Sequence, residues 1–392
     1  MVSGDLPVEK KQPCKRKSRF GCRNCKLRKL KCDETKPHCV KCHTYGLQCN
    51  FGFAVPDLQL LSEVRTKQEV VRRFELSSPR ATISNAIWTN DTSTYFMLDL
   101  QDQELFNRFR YRTLYSLGGP EMVAIYENHM LAVCFARPFL MHGTLAVTAV
   151  HDRYLGISAT RRRSLRESYH WSQCTVMFNK WLSQPIKEEN KDPIWATAGI
   201  LGILTFSSIN ACLSEEVWPL GASDSSDLEW LRLGTGKMAL WHVVNPLRPE
   251  SVFRTMSETF SRMRQPLPAR GTEGVSVELL QLCGIDESST GDNNPYFTVA
   301  HSLSRLLEVP KNDISLGPVM MILRHMHNDF GSCLKRKDPV ALLLLCLWYT
   351  RARESKWWID LRARHELPAI CAYLQRNHKD NKAILALIPW RK

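Results

Sequence analysis

Apolar positions along the chain change from an irregular to a helical pattern at about residue 96. Beyond that point they recur at the spacing of one helix face. One such series consists of Phe297, Ala300, Leu303 and Leu307. The run from Val340 to Tyr349 is apolar on all sides, which predicts a central, buried helix. Residues 96–392 contain no succession of short alternating strands, so we predict one large all-helical domain there.

Three dipeptides in this region predict helix starts. They are Asp192-Pro193, Asn294-Pro295 and Asp338-Pro339. In each, the first side chain can accept hydrogen bonds from free backbone amides, and proline suits the first helical position because its missing N–H has no partner there. We therefore expect a helix to begin at each proline, and the series that starts at Phe297 to end before Pro310.

The segment from Trp195 to Leu213 carries no charge over nineteen residues, a length close to that of a membrane span. It contains the polar residues Ser207, Ser208 and Asn210. These residues favour a buried core helix over a transmembrane helix, and we expect no membrane partner.

The chain before the helical domain divides into three parts. Residues 1–21 are predicted to be a disordered basic arm, residues 22–49 form a cysteine-rich module, and residues 50–95 are predicted to be a linker. A partial heptad seam in the linker consists of Leu61, Val64 and Val71. Two weak heptads are too few to predict a coiled coil, although a short dimerisation helix remains an alternative.

Positive charge is concentrated near the N-terminus. Residues 10–49 hold thirteen basic and two acidic residues, a net charge of +11 out of +14 for the whole chain. This concentration implies a polyanionic partner for the N-terminal region and not for the rest. Lys10, Lys11 and the run Lys15–Lys17 resemble a split nuclear localisation signal, which indicates the nucleus, while a merely solvated or phosphate-binding arm is an equal alternative.

Six of the fourteen cysteines lie at regular spacing in residues 22–49. They form two halves with identical intervals, Cys22-x2-Cys25-x6-Cys32 and Cys39-x2-Cys42-x6-Cys49. The first residues are polar and charged, which argues against a secretory signal peptide, so these cysteines are expected to bind metal rather than form disulfides. Six thiolates satisfy two tetrahedral zinc ions if two thiolates bridge both metals, which predicts a binuclear cluster.

Other uses of these cysteines are compatible with part of the pattern. A zinc ribbon would hold one ion with Cys22, Cys25, Cys39 and Cys42, but it would leave Cys32 and Cys49 without metal. A metallothionein-like store would have no use for a large helical domain. A cluster that binds protein instead of DNA stays open.

The two halves of the module differ in charge. The first half carries five basic residues, Arg23, Lys26, Arg28, Lys29 and Lys31. The second carries only Lys41 and His43. A nearly symmetric metal core with one basic face implies that the first helix enters the major groove of double-stranded DNA.

The spacing and the run from Cys25 to Cys32 resemble the fungal six-cysteine binuclear zinc cluster transcription factors, over about residues 19–51. The resemblance implies that Cys22 and Cys39 bridge the metals. It also places Pro37 where that family carries a proline that is often cis.

The resemblance further implies that a basic residue in the first loop-helix reads a CGG triplet, partly through backbone carbonyls at the C-terminus of the helix. Lys29 is the predicted reader of guanine edges. Predicted contacts to DNA phosphates come from Arg28, Lys31, Arg23 and Lys41, with Lys26 in the same DNA-binding set. Leu27 and Leu30 are expected to pack against the metal core.

Parts of the helical domain resemble the regulatory domain of zinc cluster factors of the sterol-uptake-control type. They are Pro138–Val150, Asp227–Met238, Asp338–Leu374 and the closing Pro389-Trp390. This resemblance implies that the domain can bind an apolar small molecule and form a homodimer. We further expect the helical domain to sense a signal, pair with a partner or recruit the transcription machinery at RNA polymerase II genes, with activation favoured over repression.

No catalytic motif emerges from the sequence, so we predict that the protein is not an enzyme. The segment Gly234–Lys237 hints at a phosphate loop, but Leu231 replaces the first glycine of that motif and Met238 replaces its serine or threonine. An enzyme with a DNA-targeting cluster and a corepressor with a protein-binding cluster remain the alternative classes.

Overall fold

The computed structural model describes residues 18–44, 47–51, 57–58, 86–88, 95–158, 162–209, 214–224, 227–310 and 314–389. The chain divides into two compact units, residues 1–84 and residues 85–392. The first seventeen residues of the basic arm lie outside the described residues, as does the partial heptad seam of Leu61, Val64 and Val71.

The first unit contains two short helices, α1 (Arg23–Leu27) and α2 (Val40–Thr44). The second unit begins with two strands, β1 (Ala86–Trp88) and β2 (Tyr95–Met97), which pair antiparallel. The rest of the described second unit is built from helices. They are Leu100–Arg108, Leu114–Leu117, Pro120–Ile125, Leu131–Ala136, Pro138–Tyr154, Leu165–Leu182, Glu188–Phe206, Glu229–Val244, Ser257–Arg262, Val277–Cys283, Phe297–Glu308, Leu316–His325, Asn328–Lys335, Pro339–Ala352, Trp357–Asn377 and Lys382–Leu387.

Shorter helical turns join several of these helices. Two are π-helical, Phe109–Thr113 and Tyr126–Met130, and two are 3-10 turns, Ser214–Glu216 and Val252–Met256. The predicted fold class, a small cluster module followed by a mostly α unit, is confirmed. The hairpin of β1 and β2 was not predicted, because three residues a strand are too few to establish an alternating pattern.

The helix Pro339–Ala352 lies at the centre of the second unit, as its apolar sequence predicts. The four consecutive side chains of Leu342–Leu345 point in different directions around the helix, and all four are fully buried. Its start also follows the prediction, since the Asp338 carboxylate accepts a hydrogen bond from the Ala341 amide at 2.9 Å and Pro339 is the first helical residue. The long helix Trp357–Asn377 packs against it.

The prediction of a helix start at Pro193 is wrong. The helix Glu188–Phe206 begins five residues earlier and carries Pro193 in its interior. Asp192 has tertiary partners that compete with capping, because its carboxylate accepts hydrogen bonds from the Ser251 hydroxyl and the Val252 amide. A local motif therefore gave the wrong boundary where distant residues engage the same carboxylate.

The prediction at Pro295 is wrong by two residues. The helix Phe297–Glu308 begins after a turn in which the Asn294 side chain accepts a hydrogen bond from the Tyr296 amide at 2.9 Å. Along this helix Phe297, Ala300 and Leu303 are buried as predicted. Leu307 is 40% exposed, and Leu306 takes its place in the core.

The uncharged segment that starts at Trp195 is a core helix, as predicted. Ile200 and Leu204 are buried on it, and the helix ends at Phe206. Among the described residues, no single helix has both the length and the apolar character of a membrane span. The sharply bent pair Pro120–Ala136 and Pro138–Tyr154 meets those two criteria only when both helices are counted together.

Candidate metal centre and nucleic-acid interface

The first cysteine of each half caps a short helix. The Cys25 amide donates to the Cys22 sulfur at 3.4 Å, and the Cys42 amide donates to the Cys39 sulfur at 3.3 Å. α1 and α2 begin immediately after Cys22 and Cys39. The two halves, which have the same spacing in the sequence, therefore form the same local structure. In each half a capped helical turn carries the C-x2-C pair of cysteines.

The end of α1 closes in a Schellman turn. The Leu30 amide donates to the Cys25 carbonyl at 2.9 Å, and the Lys29 amide donates to the Lys26 carbonyl at 3.1 Å. Lys29 occupies the left-handed position of this turn, with φ of 55°. A bond with the same offset, from the Leu47 amide to the Cys42 carbonyl at 2.9 Å, follows α2.

All six cysteines of the module are buried, and their sulfurs form two groups of four. One group is Cys22, Cys25, Cys32 and Cys39, and the other is Cys22, Cys39, Cys42 and Cys49. Within each group every pair of sulfurs lies within 4.8 Å. Cys22 and Cys39 belong to both groups, which is the arrangement that bridging thiolates require.

The sulfur spacing fits tetrahedral zinc. A zinc–sulfur bond of about 2.3 Å gives tetrahedral edges of about 3.8 Å between sulfurs. The observed separations are 3.7 Å for Cys22–Cys39, 3.6 Å for Cys22–Cys42 and 3.6 Å for Cys25–Cys39. All six cysteines are free of disulfides. The cluster is therefore positioned to bind two zinc ions.

Burial also changes the pKa values of several of these thiols. Burial, aided by hydrogen bonding to neighbouring cysteines, raises the pKa of the Cys25 and Cys42 thiols above the ordinary range. Burial raises the pKa of Cys49 to about 12. Metal ligation needs thiolates, so loading the cluster must release protons.

The loop between the halves contains a capping carboxylate that the sequence reasoning missed. The Asp33 carboxylate accepts hydrogen bonds from the Val40 amide at 3.2 Å and the Lys41 amide at 3.3 Å, at the start of α2. A hydrogen bond from the Thr35 side chain, together with these amides, lowers the pKa of Asp33 to about 2. In the same loop the peptide bond before Pro37 is cis.

The basic residues predicted to contact DNA surround the cluster on its outside. Lys26, Lys29, Lys31 and Lys41 are exposed, and Arg28 is half-buried. The structure thus brings the four lysines onto the surface of one small module with the six cysteines inside it, whereas the two terminal nitrogens of the Arg28 guanidinium are buried.

The expectation that Leu27 and Leu30 pack against the metal core is wrong. Leu27 is 50% exposed and Leu30 is 38% exposed. In α1 the buried residues are Asn24 and Cys25, which leaves Leu27 on the solvent side of a helix of only five residues. Phe51 and Leu47 provide the apolar contacts of the cluster instead.

Arg23 has a protein partner that the sequence did not predict. Its guanidinium forms an ion pair with Asp57 at 2.7 Å. Asn24 and Asn50, which are fully buried, belong to the same group of contacts, since the Asn24 amide donates to the Asn50 side chain at 2.8 Å. No spacing rule marks these polar residues, because their contacts depend on how the chain returns to α1 after Cys49.

The second unit offers shallow features rather than an evident chemical site among its described residues. One open groove of about 280 Å³ is lined by Asp292, Asp329 and Arg336, among others. A second, of about 270 Å³, includes Phe260 and Arg264. The segment Gly234–Lys237 lies inside the helix Glu229–Val244, so it is not a phosphate-binding loop.

Comparison with known proteins agrees with this geometry. Residues 20–53 match the fungal Zn(2)-Cys(6) binuclear cluster domain. A Zn(2)-C6 fungal-type transcription factor of Gibberella zeae is 26% identical over 236 residues, covering 49% of this chain and 47% of that protein. The matched part of this chain is longer than the whole first unit, residues 1–84. The similarity therefore extends into the helical unit.

Two further relatives match shorter regions. The transcriptional regulatory protein UME6 of Saccharomyces cerevisiae is 42% identical over 65 residues, which are 17% of this chain and 8% of that protein. Sterol uptake control protein 2 of the same yeast is 54% identical over 35 residues, 9% of this chain and 4% of that protein. The chain thus spans less than half the length of each of these relatives. Together, these observations identify residues 20–53 as a fungal Zn(2)-Cys(6) binuclear cluster domain and the chain as a relative of the fungal Zn(2)-C6 transcription factors.

Proposed function

We propose that this protein is a sequence-specific DNA-binding regulator of transcription that acts in the nucleus on RNA polymerase II genes. The cluster docks in the major groove at CGG-type sites, with α1 as the recognition helix. Support comes from the family of the cluster domain, the two groups of sulfurs and the basic surface around α1.

In this proposal Cys22 and Cys39 bridge the two metals, while Cys25, Cys32, Cys42 and Cys49 each hold one. Bound zinc supplies the cross-links that fold a short module with little apolar core. The cysteines then fix α1 relative to α2, so that the side chains after α1 keep one orientation.

The observation that carries the proposal is the backbone of Lys29. A left-handed residue with a Cβ atom costs roughly 1–2 kcal/mol, so this position usually belongs to glycine. In the second half of the module the residue at the same place in the spacing is Gly46. Lysine at position 29 therefore supplies something that glycine lacks, namely a cation at the end of α1, where it contacts guanine acceptors.

The other cations set affinity and register rather than sequence preference. Arg28, Lys31 and Lys41 contact phosphates, together with Lys26 and Arg23. Each such contact releases counterions from DNA, so affinity falls steeply with added salt.

The helical unit has a regulatory role in this proposal. It binds an apolar small molecule, pairs two copies of the chain, or contacts the transcription machinery, and its effect is activation. The similarity to the Gibberella zeae factor beyond residues 1–84 supports a role shared with regulators rather than enzymes.

The full-length protein tests this function directly. Its affinity for a CGG-containing duplex and for a scrambled duplex is measured by fluorescence anisotropy at several salt concentrations, with zinc content determined by native mass spectrometry. Two zinc ions, a preference for CGG and a steep salt dependence are expected. A flat salt response would instead favour a cluster that binds protein, and one zinc ion would favour a ribbon.

A further inference from the structure

Arg264 of the helical unit lies over the ring of Trp241. The carbon at the centre of its guanidinium is 3.7 Å from the centre of that ring. Such a contact uses the face of the planar guanidinium, whereas its N–H donors lie in the plane and point outward. The tryptophan therefore fixes the position of this cation without occupying the groups that bind anions.

Two arginines near the end of the helix Ser257–Arg262 differ in their partners. Arg262 forms an ion pair with Glu258, one turn earlier. Arg264 is exposed, and within the part of the chain that the structure describes no carboxylate lies at ion-pair distance from it. The described residues thus leave the positive charge of Arg264 uncompensated.

A second arginine, Arg324, lies close enough to Arg264 to act on its charge. Arg324 is exposed and belongs to the helix Leu316–His325, which packs against the helix Ser257–Arg262. Burial, with the like charge of Arg324, lowers the pKa of Arg264 from its ordinary value. Among the described residues Arg324 also has no carboxylate partner. Two neighbouring cations without an acid create a local positive potential, which favours an anionic ligand.

The groove beside Arg264 provides room for the rest of such a ligand. Its volume is about 270 Å³, and its apolar lining comes from Leu247, Phe260 and Pro266. The Phe260 ring packs edge-on against Trp241, with ring centres 5.0 Å apart. The volume is at the small end of the range for ligand sites, so the groove suits one aromatic ring or a short aliphatic chain.

The same groove also has hydroxyl groups. Ser257 and Ser261 both line it, and both are exposed. They are four residues apart in one helix, which places them on the same side. A serine hydroxyl can donate a hydrogen bond to a ligand oxygen, so the groove combines an apolar surface, hydroxyl donors and one oriented cation.

We propose that this groove binds a small organic carboxylate, whose apolar body contacts Leu247 and Phe260 while Arg264 binds the carboxylate group. A guanidinium pairs with a carboxylate through two parallel N–H···O bonds. Because Arg264 is already held on Trp241, little side-chain freedom is lost when the ligand binds. The charge of this ligand distinguishes it from the apolar molecule considered above, and its site lies within the helical unit and does not depend on DNA binding.

Ligand-observed NMR titrations of the full-length, zinc-loaded protein test the proposal with three probe acids, octanoate, phenylbutanoate and naphthoate. We expect at least one acid to bind. Its uncharged amide should bind roughly tenfold more weakly, because the amide cannot form the charged pair with Arg264. Added salt should weaken binding of the acid and leave that of the amide nearly unchanged, since salt screens exposed charges.

Three variants locate the binding group. Arg264→Gln should weaken binding of the acid roughly tenfold and leave that of the amide unchanged. Arg262→Gln is the matched control, because it removes the same charge two residues away from a side chain that already has Glu258 as its partner. This control should bind as the unmodified protein does. Arg324→Gln should weaken the acid by about twofold, as an exposed charge acting at a distance does.

Arg264→Lys separates charge from geometry. Lysine keeps the positive charge but loses the planar pair of donors, so the acid should bind several-fold more weakly than to the unmodified protein. Far-ultraviolet circular dichroism should show the same helical content in every variant, which separates loss of the binding group from loss of the fold.

Three results would overturn the proposal. The first is that none of the three acids binds. The second is equal binding of acid and amide, or affinity for the acid that survives Arg264→Gln. The third is binding, dependent on Arg264, of a synthetic peptide of alternating aspartate and leucine when all three acids fail, since this would make the groove a contact for an acidic protein partner.

Discussion

The sulfur atoms of Cys22 and Cys39 lie 3.7 Å apart, and these two cysteines are the members common to both groups of four thiols. Each of the other four cysteines belongs to one group only. The two metal positions are therefore not independent, because removing a shared sulfur leaves both groups with three ligands.

This relationship predicts different zinc contents for two otherwise similar variants. Cys39→Ser should lose both zinc ions, because neither group keeps four thiolates. Cys49→Ser should keep one ion or bind the second weakly, since the other group remains complete. Native mass spectrometry at neutral pH measures the stoichiometry. Cys134→Ala, in the helical unit, is the control and should retain two ions. Equal loss in both cluster variants would contradict the shared-ligand arrangement.

Lys29 allows a test of base recognition without backbone strain. Lys29→Gly removes the side chain at a left-handed position that glycine adopts freely, so the fold and the zinc content should be retained. The preference for CGG over a scrambled duplex should fall by about 1–3 kcal/mol. Lys29→Ala, which keeps the strain, should lose the same preference and be less stable than Lys29→Gly. A glycine variant that still discriminates would exclude Lys29 as the base reader.

Buried histidines make the stability of the helical unit sensitive to acid. Burial, with the charge of His170, lowers the pKa of His142 to about 3, and burial lowers that of His151 to about 3. The unfolded chain binds these protons near pH 6.5, so stability is complete above that pH and is lost as the pH falls toward 3. Between pH 7.5 and 5.5 the free energy of unfolding should fall by on the order of 1 kcal/mol for each such histidine.

Urea unfolding followed by far-ultraviolet circular dichroism measures this decline, since most helices lie in the second unit. His142→Gln should make the decline shallower, because one proton-linked group is lost. His242→Gln, at an exposed position, should leave it unchanged. A stability that is constant over this pH range would show that the buried histidines do not stay neutral in the fold.

The cap of the central helix should contribute measurably to stability. Asp338 accepts hydrogen bonds from the Ala341 amide and from the Tyr296 hydroxyl at 3.0 Å. Asp338→Ala removes both and should lower the free energy of unfolding by about 1–3 kcal/mol. Asp380→Ala, an exposed acid, is the comparison and should have little effect. Equal stabilities in urea would show that the amides at this helix start are satisfied without Asp338.

Features with a local cause could be predicted from the sequence. The spacing of six cysteines defines the metal geometry within one short segment, and the cap at Asp338 depends on a neighbour three residues away. The apolar character of Val340–Tyr349 is enough to place it at the centre of the unit, because a helix without a polar face must be enclosed.

Features with a distant cause could not be predicted. Asp192 has the same sequence context as Asp338, but the Ser251 hydroxyl and the Val252 amide occupy its carboxylate. Likewise, Arg23 was predicted to contact a phosphate, and no residue next to it in the sequence indicates that it forms an ion pair with Asp57. Such contacts depend on where the chain returns after many residues, which local periodicity does not encode.

The hydrogen bonds of the cluster extend past its outer cysteines on both sides. The Cys32 amide donates to the Ser18 hydroxyl at 3.2 Å, and Leu58 is bonded to Asn24. A peptide of residues 22–49 would contain every zinc ligand and still lack both partners. A portion of the chain that keeps both hydrogen bonds must therefore run at least from Ser18 to Leu58, and peptides cut at the first and last cysteine are expected to hold zinc in a looser structure.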